Sequence, residues 1–238
     1  MARLQKHSGK MKTLMSELDR LLSISYGRKR WRRCGGAVEI LIRTILSQQT
    51  NDKASEVAYR RLLERFGSFE NVMTASDEEV EAAIRPAGLS RQKARCIKSC
   101  LKRIMNDFGK LSLDQLEGMD VESAMSYLTS LHGVGVKTAA CVLLFAFGKP
   151  VFPVDTHILR ITKRLGIVGE EKDATEAQAY LDEVIPSKLK YQLHLNLIEH
   201  GRKVCRAREP LCHLCSLRRY CLYWRLKRQS KRTTRFNR

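Results

Sequence analysis

Cys205, Cys212, Cys215 and Cys221 follow the spacing C-x6-C-x2-C-x5-C, four thiols within 17 residues. Thiolates are soft ligands, so such a set predicts a metal or cluster cage, with iron–sulfur and zinc as the candidates. Structural zinc usually takes two close pairs on either side of a longer stretch. Here only Cys212 and Cys215 form a close pair. A cubane cluster is larger than one ion and accepts ligands spread along a wrapping loop. The spacing therefore favours a cluster and leaves zinc, disulfides or free thiols as alternatives. The remaining cysteines, Cys34, Cys96, Cys100 and Cys141, are scattered and read as small buried hydrophobes.

A second candidate lies upstream, in Leu131-His-Gly-Val-Gly-Val-Lys137. Gly133 and Gly135 bracket a turn too tight for most side chains. The helix that opens at Val136 then starts with backbone N–H groups pointing out of the turn, an anion site suited to a DNA phosphate. Lys137 falls in the first turn of that helix. It is either one more phosphate contact or a nucleophile. A lysine near the positive end of a helix dipole and partly shielded from water has its pKa lowered, and a neutral amine attacks electrophilic carbon to give a Schiff base. Asp155, in Pro-Val-Asp-Thr-His157, reads as the N-cap of the next helix. A cap carboxylate also serves catalysis when the helix start faces a cleft.

The elements that must hold these residues are helices. Apolar residues recur at helical spacing over Gly35–Gln49, with Val38, Leu41, Ile42, Ile45 and Leu46 on one face, and again over Asp52–Phe66. Ser76-Asp-Glu-Glu79 and Asp173-Ala-Thr-Glu176 are capping boxes. Further helices are predicted from Ser90 to about Phe108, Asp120 to Leu131, Val136 to Phe147, Asp155 to Leu165 and Leu189 to Val204. Only Val151-Phe-Pro-Val154 reads as extended, and Pro153 breaks it. The fold class is all-α.

The net charge of +19 in 238 residues points to a polyanion, most simply nucleic acid. From Pro210 to Arg238 there are nine Lys or Arg residues and no Asp or Glu. Residues 223–238 are expected to be a disordered basic tail that follows phosphates. No apolar run reaches membrane-spanning length, no signal peptide is read, and eight cysteines without a secretory address predict a reducing compartment.

Together these residues resemble the endonuclease III family of helix–hairpin–helix DNA glycosylases, across roughly residues 30 to 222. The carriers are the hairpin with Lys137, Val154-Asp-Thr-His157, and the four-cysteine spacing, in this order. The resemblance implies a [4Fe-4S] cluster on Cys205, Cys212, Cys215 and Cys221. It implies two helical lobes flanking a DNA-binding cleft: a six-helix lobe at 30–149 that carries the hairpin, and a cluster lobe made of 1–29 and 150–222. Lys137 and Asp155 would meet at that cleft. Leu46-Ser-Gln-Gln-Thr-Asn-Asp52 is similar to the family segment whose glutamine, here Gln49, fills the space left by a flipped nucleotide. Gly88-Leu-Ser-Arg-Gln-Lys-Ala94 is similar to the loop that pushes a leucine, here Leu89, into the base stack. Gly133, Gly135 and Val136 would grip the phosphate backbone.

The implied activity is base excision repair of duplex DNA carrying damaged bases or abasic sites. Oxidised pyrimidine is the family default, and uracil or thymine mismatches and 5-methylcytosine are alternatives on the same chemistry. Arg206, Arg208, Arg218 and Arg219 would face DNA. Related adenine glycosylases place a glutamate where this chain has Thr44. A cluster-bearing DNA-binding module without chemistry would have lost Lys137 or Asp155, and both are present. The expected state is a monomer in a bacterial or archaeal cytoplasm, or in a nucleus or mitochondrion if the cell is eukaryotic.

Overall fold

The computed structural model describes residues 2–33 and 35–236, with side-chain surroundings for 9–33 and 35–229. Cys34 lies outside the described residues, as do the last two positions of the expected tail. Twelve α-helices are described: α1 (Ala2–Tyr26), α2 (Ala37–Ser47), α3 (Asp52–Phe66), α4 (Phe69–Thr74), α5 (Asp77–Ile84), α6 (Ser90–Phe108), α7 (Val121–Ser130), α8 (Val136–Phe147), α9 (Thr156–Leu165), α10 (Ala174–Val184), α11 (Lys190–Lys203) and α12 (Leu222–Phe236). Among the described residues there is no strand. The chain is all-α.

It divides into two compact units, residues 32–149 and residues 1–31 with 150–238. The first unit is centred on α2 packed against α8. Leu41, Ile42, Ile45 and Leu46 of α2 are fully buried, and Ala139 and Ala140 of α8 let those larger side chains approach closely. Each such aliphatic side chain contributes about 1.5–3 kcal/mol of burial. This unit holds seven α-helices where six were expected. The additional one is α4, six residues started by Ser68, whose hydroxyl accepts from the Asn71 N–H at 3.3 Å. It is too short to leave an apolar period in the sequence.

The second unit packs α1 and α9 on α11, and α10 and α12 on α9. Its core joins Met15, Leu18 and Leu22 of α1 to Phe152, Ile158, Ile161, Leu181 and Leu193. The expected tail is a correction: its residues 223–236 lie in α12. Tyr223 and Trp224 pack on the core, and the Arg164 guanidinium stands 5.1 Å from the Tyr223 ring centre. These contacts give the start of the segment the tertiary support that its charge run conceals. Among the described residues, no helix is long and apolar enough to cross a membrane.

Candidate active site

The hairpin is built as the glycine pair predicts. Gly133 has φ +75°, and a Cβ there would stand 2.6 Å from Cys96 Sγ. Neither the backbone angle nor the space tolerates a larger residue. The Cys96 thiol donates to the His132 carbonyl at 3.1 Å and so fastens the turn onto α6. Cys96, Cys100 and Cys141 are buried. Gly135 is the N-cap of α8 and brings no side-chain acceptor, so the first-turn N–H groups of that helix stay available. Gly133, Gly135 and Val136 are all exposed, and Lys137 is half-buried beside them. The next residue, Thr138, takes a hydrogen bond from Gln48 Nε2 at 3.2 Å, tying the end of α2 to the start of α8.

Gln49 and Leu89 stand at two other bends of the same unit. Both are non-glycine residues with positive φ, +50° and +48°. Gln49 follows the C-cap of α2, and Leu89 is the N-cap of α6, half its side chain exposed to solvent. One recess of about 70 Å³ is lined by both of them together with Gln48, His132 and Gly133. The structure thus gathers Gln49, Leu89 and the hairpin around one surface. A more open groove next to it is lined by Leu89, Ser90, Arg91, Arg95 and His132.

Asp155 belongs to the other unit. Its Oδ1 accepts from the Ile158 N–H at 2.8 Å, which makes it the N-cap of α9. The approach to it, Val151–Val154, is buried and carries no regular secondary structure, and its backbone groups and the Pro150 carbonyl find side-chain partners. Lys190 Nζ donates to the Pro150 carbonyl at 2.7 Å, His194 Nδ1 lies 3.0 Å from the Pro153 carbonyl, and Gln178 accepts from the Val154 N–H at 3.2 Å. The sequence reading missed all three. Buried polar residues on otherwise amphipathic helices were the available signal, and they carry no fixed spacing from Asp155.

The cysteine loop follows α11. Two single 3-10 turns, Cys212–Leu214 and Arg218–Tyr220, each hand over to a cysteine in the same extended conformation: Cys215 at φ −79°, ψ 116° and Cys221 at φ −85°, ψ 114°. Helix α9 grips the beginning of the loop. Arg160 donates to the carbonyls of Cys205 and Gly201, each at 3.1 Å, and Arg164 donates to those of Arg206 (2.7 Å) and Ala207 (2.9 Å). Tyr26 OH lies 2.9 Å from His200 Nδ1, and His200 Nε2 lies 3.4 Å from Cys215 Sγ. Burial holds His200 down at about 4, so the ring is neutral at pH 7. With Tyr26 donating to Nδ1, the Nε2–H faces the sulfur. Arg206, Arg208, Arg218 and Arg219 are exposed. Arg219 is engaged locally, pairing with Glu17 of α1, while Arg218 lies 5.6 Å from the Trp224 ring centre.

Four sulfur donors carried on one loop suit a soft metal centre. The Cys215 thiol is pushed up to about 11, first by burial and then by the negative charge of Cys205, Cys221 and Cys212, against a lowering hydrogen bond from the Leu217 backbone. Cys221 is raised, chiefly by burial, with the Trp224 and Tyr223 backbone opposing. Backbone N–H groups point at the sulfurs of Cys215 and Cys221. Among the described residues, no three His, Cys, Asp or Glu side chains converge closely enough to share one metal ion.

Fold and site together define the class: an all-α protein with a helix–hairpin–helix element, a first-turn lysine and a C-terminal cysteine loop. The profile of the HhH-GPD superfamily base excision DNA repair proteins matches residues 42–187. A putative DNA glycosylase of Arabidopsis thaliana is 39% identical over 165 residues, 69% of this chain and 56% of that protein, so the chain spans little more than half that relative's length. Endonuclease III of Sulfolobus acidocaldarius is 37% identical over 186 residues, 77% of this chain and 81% of that protein. A solved non-covalent endonuclease III–DNA complex matches with a TM-score of 0.77 at 29% identity, covering 92% of this chain and 98% of that one. The chain belongs to the HhH-GPD superfamily and, within it, to the endonuclease III family.

Proposed function

We propose that the protein is a DNA glycosylase with AP lyase activity that removes damaged, chiefly oxidised, pyrimidines from duplex DNA. The observation that carries this reading is Lys137, half-buried in the first turn of a helix whose start has no side-chain cap, in a chain of a base excision repair family.

A base inside a duplex is shielded, so the damaged nucleotide must rotate out of the stack. Gln49 and Leu89 fill the gap and hold a kink, which lowers the cost of unstacking. The N–H groups after Gly133 and Gly135 hold a backbone phosphate. The Lys137 amine then attacks C1′ of the deoxyribose through its lone pair. The new N–C bond forms as the glycosidic bond breaks, and the base leaves with the bonding pair and takes a proton. Asp155 stabilises the positive charge developing on the sugar. The attached nitrogen then loses a proton and its lone pair opens the sugar ring, the C1′–O4′ bond breaking and O4′ taking a proton, and the resulting iminium makes the C2′ proton acidic. Its loss expels the 3′ phosphate by β-elimination and cuts the strand. Cys205, Cys212, Cys215 and Cys221 hold a [4Fe-4S] cluster, which when bound cross-links the loop that carries the exposed arginines.

The test is borohydride trapping of the iron-loaded protein on duplexes carrying thymine glycol, uracil mispaired with guanine, 5-methylcytosine or an abasic site, with Lys137→Ala alongside. Trapping on thymine glycol and on the abasic site, absent in the variant, is the expected result. Trapping on the abasic site alone would assign a lyase with another base specificity. Binding without trapping on any duplex would refute the lysine mechanism and leave a DNA-binding module.

A further inference from the structure

Three lysines are buried among the described residues: Lys93, Lys98 and Lys190. Lys98 and Lys190 pair with carboxylates, Asp77 at 2.6 Å and Asp182 at 2.7 Å. Lys93 does not. Only 3% exposed, it places its ammonium on two backbone carbonyls, Leu46 O at 2.8 Å and Ala87 O at 2.9 Å. A charge buried at such a depth is costly unless hydrogen bonds satisfy it, so the groups it bonds indicate its use.

The two carbonyls identify the use. Leu46 is next to last in α2, three residues before Gln49, and Ala87 closes the 3-10 turn Arg85–Ala87, two residues before Leu89. Both are end-of-helix carbonyls of the kind left without backbone donors, and a cation there is favoured by the helix dipole. Within three residues of each, a non-glycine residue takes positive φ: Gln49 at +50°, and Leu89 at +48° directly after Gly88 at +66°. Such backbone persists only where the surroundings over-determine it. The side chain of Lys93 also lines the recess on which Gln49 and Leu89 stand. One ammonium therefore fixes the take-off points of two strained bends that are 40 residues apart in sequence and adjacent in the fold.

We propose that Lys93 is a positioning residue for duplex opening: by clamping the Leu46 and Ala87 carbonyls it holds Gln49 and Leu89 in the conformation that inserts into the base stack, so that both enter together. This rests on the reading of Gln49 and Leu89 as the inserting residues. Lys93 touches neither the sugar nor the base and takes no part in the Schiff base.

The test compares two substrates within each preparation: a well-paired duplex carrying thymine glycol, and a single-stranded abasic oligonucleotide that has no stack to open. Single-turnover rates per trappable site are taken as a ratio, and 2-aminopurine opposite the lesion reports insertion. Lys93→Met is expected to lower the duplex-to-single-strand ratio at least tenfold and to abolish the 2-aminopurine signal, with single-strand trapping within twofold of wild type. Lys93→Gln, which keeps donors, is expected to lie between, and it is read on the same scale if the methionine variant does not fold. Adding Lys93→Met to Gln49→Ala/Leu89→Ala is expected to lower the ratio by less than twofold further. A ratio that stays at the wild-type value, or an additive effect in the triple variant, would overturn the inference and leave Lys93 a structural clamp. If Gln49→Ala/Leu89→Ala itself leaves the ratio unchanged, the insertion reading fails and the inference goes with it. If wild type traps neither substrate, the glycosylase–lyase reading is what has failed.

Discussion

Asp155 is assigned two duties, and a pair of substitutions separates them. As N-cap of α9 it accepts one hydrogen bond, from Ile158 N–H at 2.8 Å. It is half-buried, and the helix it starts is packed on α11. Replacing a capping Asp by Ala costs about 1 kcal/mol, whereas Asn caps nearly as well. For a chain of this size about 1 kcal/mol lowers the thermal midpoint by roughly 2–4 °C. Asp155→Ala is therefore expected to lower it by that amount and Asp155→Asn to leave it almost unchanged. Catalysis responds to charge, not to the cap. A carboxylate facing a developing cation at about 4 Å is worth up to roughly 4 kcal/mol at an effective dielectric of 20, and each 1.36 kcal/mol is about tenfold in rate. Both variants should then lose about 10²–10³ in single-turnover excision. The assays are thermal unfolding and excision of thymine glycol under single-turnover conditions, each on protein of equal iron content. Asp155→Asn with wild-type excision would refute the electrostatic role. Excision that falls only in step with the thermal midpoint, in Ala but not in Asn, would reduce Asp155 to a cap.

Gly133→Ala must accept both a left-handed backbone and a Cβ 2.6 Å from Cys96 Sγ. Roughly 1–2 kcal/mol of backbone strain and about 1–3 kcal/mol of overpacking are expected, with duplex affinity falling alongside. Adding Cys96→Ala should recover the second part in a thermal melt, and no recovery would place the strain elsewhere. Asp19 in α1 is buried, with Oδ2 accepting from Gln192 at 2.7 Å and Oδ1 without a partner. Its carboxyl is raised above the ordinary value of 3.8, first by burial, against a lowering hydrogen bond from Gln192. The folded state then holds the proton more tightly than the unfolded one. Stability falls as pH rises from the ordinary value to the raised one and stays lowered above it. Asp19→Asn is expected to remove that fall and, by replacing a buried carboxylate with a neutral amide, to raise the melting temperature at pH 7. A lower melting temperature at pH 7 in the variant would show that the carboxylate is compensated.

The parts of the site that were legible are those in which chemistry dictates residue type at short range. Gly133 had to be glycine and Asp155 had to cap, so each left a local pattern. The serine and aspartate caps marked α5, α7, α9 and α10 for the same reason, since the acceptor stands three residues from its donor. What stayed hidden depends on partners far away in sequence. Lys190, His194 and Gln178 satisfy the backbone of 150–154 from 24 to 41 residues away. Lys93 reaches 47 residues back to Leu46. A lysine in a basic, amphipathic helix reads as solvated, and only packing reveals that it is buried. Helix α12 was missed because its support comes from contacts with α9, while its own composition is that of a charged tail.

Which helix starts are left uncapped carries more about function than any one motif. α3, α4, α5, α7, α9 and α10 fill their first-turn N–H groups with their own Asn, Ser or Asp caps. α2, α6, α8 and α11 do not: Gly36, Leu89, Gly135 and Leu189 bring no side-chain cap. An uncapped start forgoes about 1 kcal/mol, and in one helix that would mean little. Two of the four, α6 and α8, lie by the same recess, one preceded by an exposed leucine held at positive φ and the other by the hairpin glycines. Donors left vacant at two neighbouring helix ends, on a chain of net charge +19, suit an extended anion better than an isolated one. Phosphates along one DNA strand present that pattern, and Lys137 stands in the first turn of one of the two helices.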